Sequence, residues 1–238
     1  MKLSIIIPIF NEEKTAAEVL KNVAALRLRG VNKEIIVIDD GSTDRSVLEI
    51  KNQKSKIKDL KVFFHSNNLG KGAAVKTGLN NATGDYVVIQ DADLEYDPKQ
   101  IENLVDPVLE GKAQVVYGTR LNRMPNIHSD ERTPLFLLHY LGNRFLSFAT
   151  SILYFQWLTD METCYKLFPR KAVIDMKLKA RGFEFEPEIT AKLLKMGFHI
   201  LQIPITTKPR DYSQGRKLYA YKDGPKALWA LVKYRFID

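Results

Sequence analysis

The chain has 238 residues, 45% of them hydrophobic, which is enough for one large domain with its own apolar core. Its single cysteine, Cys164, excludes an internal disulfide, and no signal-peptide pattern precedes the first apolar run, so we expect a cytoplasmic protein. The net charge of +8 belongs to the last third of the chain, which is typical of contact with phosphate groups, an anionic membrane or nucleic acid, or of a solvated lysine-rich surface.

Residues 1–118 alternate between strand and helix patterns. Short apolar runs predict strands at 5–10, 34–39, 62–64, 86–90 and 114–117. The stretches between them predict helices at 12–28, 43–57, 71–82 and 98–110. Strands that are apolar on both faces and separated by helices indicate a mainly parallel sheet covered by helices on both faces. The sequence therefore predicts an α/β, Rossmann-like fold.

The pattern changes after Arg120. Residues 121–133 are polar and predict a long loop of the kind that often binds ligands. Residues 134–158 are strongly apolar, with polar residues recurring every fourth position at His139, Asn143, Ser147 and Ser151. This spacing predicts an amphipathic helix with a wide apolar face, either buried or lying on a membrane surface.

The last segments combine aromatic and basic residues. A helix is predicted near 186–196, a strand near 199–203 and a basic, glycine-containing loop at 208–217. The final helix, 222–236, interleaves Trp, Tyr and Phe with Lys and Arg. That mixture is typical of a helix at a lipid headgroup interface, and the alternative is a terminal helix packed on the core.

Acidic residues follow the fourth predicted strand at the point where it ends. Asp91 and Asp93 come directly after the apolar run 86–90, and Glu95 is close behind. Open α/β sheets bind ligands at the carboxyl ends of their strands. Carboxylate oxygens suit Mg²⁺ or Mn²⁺, and Mg²⁺ commonly combines one or two carboxylates with substrate phosphates. The sequence therefore predicts a metal–phosphate site here.

Two further residues fall at the same predicted edge. Asp40 follows the second strand and is a candidate acceptor for a base or a ribose hydroxyl. Lys71 lies between two glycines at the start of a helix, where backbone N–H groups favour an anion. The spacing of a Walker A loop is absent, and a plain helix start remains the alternative for this segment.

Together these motifs resemble family 2 glycosyltransferases with the GT-A fold. The resemblance is carried by SIIIPIFNEE at 4–13, VIDDGSTD at 37–44, NLGKGA at 68–73 and QDAD at 90–93. Three more runs, TDMETCYK at 159–166, GFEFEPE at 182–188 and KDGPKALW at 222–229, are similar to the branch with dolichyl-phosphate mannose synthases and bacterial polyprenyl-phosphate glycosyltransferases. The resemblance implies one GT-A domain with a nucleotide-sugar-binding half, 1–120, and an acceptor-binding half, 121–238.

The resemblance also implies the site residues. Those for the nucleotide sugar are Pro8, Phe10, Glu12, Asp40, Lys71, Asp91, Ala92, Asp93, Arg210 and Lys217. The implied ligands of Mg²⁺ or Mn²⁺ are Asp91, Asp93 and Glu95, and the implied contacts of the acceptor phosphate are Arg120 and Arg132. The implied catalytic residues are Asp91, Asp93, Arg120 and Arg210.

The leading hypothesis is therefore an inverting, metal-dependent transfer of a hexose from a GDP- or UDP-sugar to a polyprenyl (dolichyl or undecaprenyl) phosphate. A phosphate acceptor is largely dianionic at neutral pH, so it needs positioning more than a strong base. We expect a peripheral protein on the inner face of the membrane, bound through 134–158 and 222–236, with a membrane-protein partner or a homo-oligomer as further partners.

Two alternatives stay open. A family 2 glycosyltransferase acting on a glycan or soluble hydroxyl would need a carboxylate base, for which Glu184 or Glu186 is the candidate. A non-catalytic nucleotide-sugar or membrane-binding module would need none. A nucleic-acid partner is not expected, because the acidic strand ends would face it and no recognition motif is present.

Overall fold

The computed structural model of the protein describes residues 1–121, 133–208 and 220–237. Its strands are β1 (Lys2–Ile9), β2 (Asn32–Asp39), β3 (Lys61–Phe64), β4 (Tyr86–Ile89), β5 (Val115–Thr119), β6 (Lys166–Pro169) and β7 (Ile200–Pro204). Its helices are α1 (Ala16–Ala25), α2 (Ser46–Lys54), α3 (Lys71–Asn81), α4 (Ile101–Leu109, after a 3-10 turn at Pro98–Gln100), α5 (Pro134–Tyr154), α6 (Arg170–Ile174), α7 (Phe185–Lys195) and α8 (Ala220–Phe236). Arg132, Arg210 and Lys217 lie outside the described residues.

The strands form one seven-stranded sheet in the order β3-β2-β1-β4-β6-β5-β7. Only β6 among these strands runs antiparallel to its neighbours, β4 and β5. Residues 3–7 of β1 are all buried, so both faces of this central strand are covered. The prediction of a mainly parallel α/β sheet is confirmed.

Helix α3 packs unusually close to the sheet. A Cβ atom added to Gly78 would lie 2.5 Å from Cγ2 of Ile6 and 2.9 Å from Cδ1 of Ile38, so glycine is required by the close approach. This contact fixes the direction of α3 and holds its first residue, Lys71, at the carboxyl edge of the sheet.

Strand β6 and helix α6 are absent from the sequence prediction. Lys166, the first residue of β6, interrupts the apolar pattern yet is fully buried. Its ammonium group donates to the carbonyl oxygens of Met161 and Thr163 and pairs with Glu186 at 2.6 Å. A lysine whose charge is satisfied entirely by the fold gives no strand signal in the sequence.

Helix α5 faces the core with its polar side. Ser147 Oγ accepts a hydrogen bond from the backbone N–H of Met161, and Ser151 Oγ accepts one from Leu158, both at 2.9 Å. The large apolar residues Leu138, Leu141, Phe145, Phe148 and Ile152 lie on the opposite side and are each 50–63% exposed. The predicted polar stripe is therefore correct, but it is the buried side of the helix.

The helix ends earlier than predicted, at Tyr154, where Phe155 takes a left-handed backbone with φ 57°. Inward-facing residues of α5 pack with α7 and α8 around Leu146, Tyr154, Met161, Leu231 and Tyr234. Within the described ranges, no helix is long and apolar enough to cross a membrane.

Candidate active site

A cavity of about 360 Å³ opens at the carboxyl ends of β1, β2 and β4. The described residues that the resemblance implies for the nucleotide sugar, the metal and the acceptor phosphate all line it, namely Pro8, Phe10, Glu12, Asp40, Lys71, Asp91, Ala92, Asp93, Glu95 and Arg120. Of the two candidate bases, Glu186 lines the cavity and Glu184 does not. Parallel strands place their carboxyl ends together, which is why residues distant in the chain meet here.

Asp91 is paired with Lys71 at the floor of this cavity. The Lys71 ammonium lies 2.9 Å from one carboxylate oxygen of Asp91 and 3.1 Å from the other. Burial acts to raise the pKa of Asp91, but the ammonium group of Lys71 outweighs it, so the pKa lies below its ordinary value. Asp91 is thus a charged carboxylate that fixes the position of the lysine.

Lys71 also contacts Glu186, which lies on α7. Their charged atoms are 3.2 Å apart, and the second oxygen of Glu186 pairs with Lys166 at 2.6 Å. The neighbouring acids are also engaged: Glu184 accepts from the backbone N–H groups of residues 181 and 182, and Glu188 from those of 179 and 180. These carboxylates hold α7 and the preceding turn in place.

Asp40 lines the cavity and also fastens the loop that precedes α3. Its carboxylate accepts hydrogen bonds from the backbone N–H groups of Leu69 and Gly70 at 3.0 and 2.8 Å, and lies 2.6 Å from Nδ1 of His65. Gly70 has a φ of 99°, and a Cβ there would come within 2.4 Å of the Arg181 carbonyl oxygen. Asp40 therefore sets the shape of the cavity wall around Lys71.

Arg120 is held in one orientation by Asp160. The Arg120 Nε and Nη2 atoms lie 2.7 and 2.8 Å from the two oxygens of the fully buried Asp160, and the Arg120 backbone N–H donates to the same carboxylate. A guanidinium group has five N–H donors, so this bidentate pair leaves others to meet a cavity ligand. The planar guanidinium group of the arginine is thus pre-oriented for an oxyanion such as phosphate.

The comparison with known families agrees with this geometry. The sequence model of the family described as Glycosyl transferase family 2 matches residues 4–176. The chain belongs to this family. It is therefore a glycosyltransferase enzyme, as the motifs predicted.

Relatives of this glycosyltransferase include an uncharacterized protein of Methanocaldococcus jannaschii, 30% identical over 90% of this chain and 85% of that protein. Dodecaprenyl-phosphate galacturonate synthase of Rhizobium johnstonii is 25% identical over 89% of this chain and 60% of its own length. Glycosyltransferase AglJ of Haloferax volcanii is 27% identical, with 92% and 67% covered. This chain thus spans less than two thirds of the galacturonate synthase.

Among solved structures, glucosyl-3-phosphoglycerate synthase of Mycobacterium tuberculosis, in complex with Mn²⁺, UDP and glucosyl-3-phosphoglycerate, has a TM-score of 0.74. The identity is 21%, over 100% of this chain and 81% of that chain. A complex of the same enzyme with Mn²⁺ and UDP-glucose has a TM-score of 0.74 and is 22% identical, over 98% of this chain and 78% of that chain. This likeness confirms the GT-A fold of the glycosyltransferase.

The predicted metal site of the glycosyltransferase can be tested against its donor atoms. In the described part of the chain, no three His, Cys, Asp or Glu side chains converge closely enough to hold a metal by themselves. Asp93 and Glu95 both line the cavity, and the intervening Leu94 has a left-handed φ of 62°, which is unusual for this residue type. Two carboxylates fit a divalent cation whose other ligands are water and phosphate oxygens.

A second, largely apolar cavity of about 290 Å³ lies between α5 and α8. It is lined by Phe145, Leu146, Pro225, Ala227 and Leu228, among others. His139, Asn143, Glu162 and Phe183 line both cavities, so the two lie next to each other and share these four residues.

Sequence reasoning missed Glu162. The TDMETCYK run that contains it supports the family resemblance, but nothing in its spacing marks the glutamate as part of a site. Its position became visible only when the fold brought the two cavities together.

Proposed function

We propose that this glycosyltransferase transfers a hexose, with inversion, from a nucleotide diphosphate sugar to a polyprenyl phosphate. One observation carries the proposal: the cavity at the strand ends, which is lined by charged side chains, adjoins an apolar cavity between α5 and α8 and shares four lining residues with it. A lipid phosphate is an acceptor whose polar and apolar parts match these two environments. The relative named dodecaprenyl-phosphate galacturonate synthase supports this acceptor class, and the relative named glycosyltransferase AglJ supports the transferase activity.

We assign the donor to the first cavity. Pro8, Phe10, Glu12 and Asp40 line the part suited to the nucleoside, and Lys71 offers an ammonium group to the diphosphate. Arg210 and Lys217, outside the described residues, belong to the proposal as cations of the basic loop. The halves 1–120 and 121–238 then correspond to donor and acceptor binding, and both UDP and GDP remain candidate nucleotides.

Asp93 and Glu95, with Asp91 beside them, would hold Mg²⁺ or Mn²⁺ together with the donor diphosphate. The metal would stabilise the negative charge of the departing diphosphate. Asp91 keeps Lys71 charged and directed into the cavity, which supports the same leaving group from the protein side.

Arg120 would position the acceptor phosphate. A phosphate oxygen attacks the anomeric carbon, the bond from that carbon to the diphosphate oxygen breaks, and the nucleotide diphosphate leaves with the bonding electrons. An acceptor that is already a dianion needs no proton removed by the protein. This agrees with the engagement of Glu184 and Glu186 in local hydrogen bonds and ion pairs.

The outer apolar face of α5 and the exposed residues Trp157, Trp229 and Phe236 support peripheral binding to the cytoplasmic membrane surface. Lys233 and Arg235 near the end of α8 add positive charge beside them. Large apolar side chains mixed with basic ones insert into an anionic headgroup layer. The second cavity would then open beside the lipid from which the acceptor comes.

The test is a transfer assay with the full chain, Mn²⁺ or Mg²⁺, and a panel of UDP- and GDP-hexoses. Undecaprenyl phosphate or dolichyl phosphate is the lipid acceptor, and 3-phosphoglycerate and glucose are the soluble acceptors. We expect metal-dependent formation of a lipid-linked sugar. Transfer only to a soluble hydroxyl would favour the alternative acceptor class, and no transfer or binding of any donor would contradict the proposal.

A further inference from the structure

The two cavities adjoin at four shared lining residues, His139, Asn143, Glu162 and Phe183, which we name the neck. Under the proposed function, the diphosphate lies on the strand-end side of the neck and the lipid chain lies on the helix side. The sugar to be transferred must lie between them, so the neck side chains are the ones placed to contact it.

Glu162 is the acidic member of the neck. Its Oε1 atom is buried and has no hydrogen-bond partner among the described residues. The charged groups around it are already matched with each other, since Arg120 pairs with Asp160 and Lys166 with Glu186. A buried carboxyl oxygen without a partner costs free energy, which a bound ligand can recover by hydrogen bonding to it.

The protonation of Glu162 limits what that ligand can be. Burial raises its pKa to about 7, with Lys166 lowering it and Glu186 raising it, so both protonation forms are present near neutral pH. A phosphate dianion offers only hydrogen-bond acceptors, and an isoprenoid chain offers neither donors nor acceptors. A sugar hydroxyl can donate to the carboxylate or accept from the carboxylic acid, so it pairs with either form.

We propose that Glu162 is a specificity-determining residue whose carboxyl group hydrogen-bonds a hydroxyl of the transferred hexose. The proposal rests on the proposed function and adds the residue that recognises the sugar. A site built to hydrogen-bond a hydroxyl discriminates strongly against a sugar that presents it differently, because the buried carboxyl is then left unpaired.

The test compares binding of a nucleotide with binding of its sugar conjugate. Titration calorimetry on the full chain with Mn²⁺ would use UDP, UDP-glucose and UDP-galactose, and GDP, GDP-mannose and GDP-glucose, so that each sugar pair differs at one hydroxyl. Glu162→Ala should weaken binding of the preferred nucleotide sugar by about tenfold or more and leave the affinities for UDP and GDP unchanged. It should also reduce the difference in affinity between the two sugars of each pair. Glu162→Gln should show an intermediate loss, because its amide still pairs with a hydroxyl.

The matched control is Glu102→Gln, an exposed glutamate on α4, which should change none of these affinities. Thermal unfolding checks that each variant is folded. If the alanine variant is unfolded, the near-isosteric Glu162→Gln variant still provides the test. Equal losses for nucleotide and nucleotide sugar, or a loss confined to the KM of the acceptor, would overturn the inference. Wild-type protein that binds no nucleotide sugar would contradict the proposed function itself.

Discussion

The carboxyl edge of the sheet and the outer surface of α5 differ in chemical character: the first is lined by paired charged groups and the second by exposed apolar side chains. At the sheet edge, the charged groups of Lys71, Asp91 and Glu186 are paired with one another; Glu186 is buried, and Lys71 and Asp91 are only partly exposed. On α5, large apolar residues such as Leu141 and Phe148 face outward while serines face inward. The paired charges indicate a site arranged for a small ionic ligand, and the exposed apolar residues indicate a surface that meets an apolar phase.

The largest loss of activity is expected from a substitution in the ionic site, the cavity lined by charged side chains at the carboxyl edge of the sheet. Asp93→Asn should lower kcat/KM on the order of 10³-fold, because it weakens the stabilisation of the departing diphosphate. Steady-state transfer assays measure this, with Asp106→Asn on the exposed side of α4 as the control. A loss of less than tenfold would argue against a role for Asp93 in the reaction.

Arg120→Lys should lower kcat/KM for polyprenyl phosphate by about 10²-fold, since lysine keeps the charge but loses the bidentate geometry. Lysine still neutralises the buried Asp160, so the fold is retained. Binding of the nucleotide sugar, measured by calorimetry, should be unchanged, and Arg29→Lys on the surface serves as the control. If donor binding falls with the rate, Arg120 does not act on the acceptor.

The apolar surface can be removed without touching the ionic site. The double variant Leu141→Ser, Phe148→Ser should weaken binding to vesicles of phosphatidylglycerol and phosphatidylcholine by about tenfold or more, because inserted apolar side chains are lost. Vesicle co-sedimentation measures this. Leu48→Ser on α2, where the leucine is 54% exposed, is the matched control. Equal losses of vesicle binding for the double variant and for the control would mean that the α5 surface is not the membrane-binding surface.

A smaller effect concerns acid stability of the sheet. Burial acts to raise the pKa of Glu34 on β2, but hydrogen bonds from Lys61, Ser4 and Thr83 lower it more, to about 2. A carboxyl with a depressed folded-state pKa stabilises the protein above its ordinary pKa, and this contribution is lost as the pH falls from about 5 towards 2. Glu34→Gln should therefore be less stable than wild type at pH 7, and the gap should narrow at pH 3. Urea unfolding at both pH values measures it, and a constant gap would contradict the assignment.

The sequence predicts the ionic site better than the apolar surface. Asp40 and Asp91 each follow an apolar strand, and parallel strand ends meet at one edge whatever the helices do. For α5, the four-residue spacing of polar residues predicts a stripe but not which side faces the core. Burial of Ser147 and Ser151 depends on the backbone N–H groups of Met161 and Leu158, which the fold alone brings there. Glu162 and β6 were missed for the same reason.

The position of β6 has a consequence for how the chain assembles. In the described sheet, β5 has hydrogen-bonded neighbours only in β6 and β7, both of which come from later in the sequence. As the chain leaves the ribosome, residues 115–119 therefore stay without a sheet partner until the segment beginning at Lys166 has been made. The α5 segment is synthesised during that wait, so its apolar residues are present before the sheet that anchors the helix is complete. A chaperone or a nearby membrane would have its greatest influence on yield at this stage.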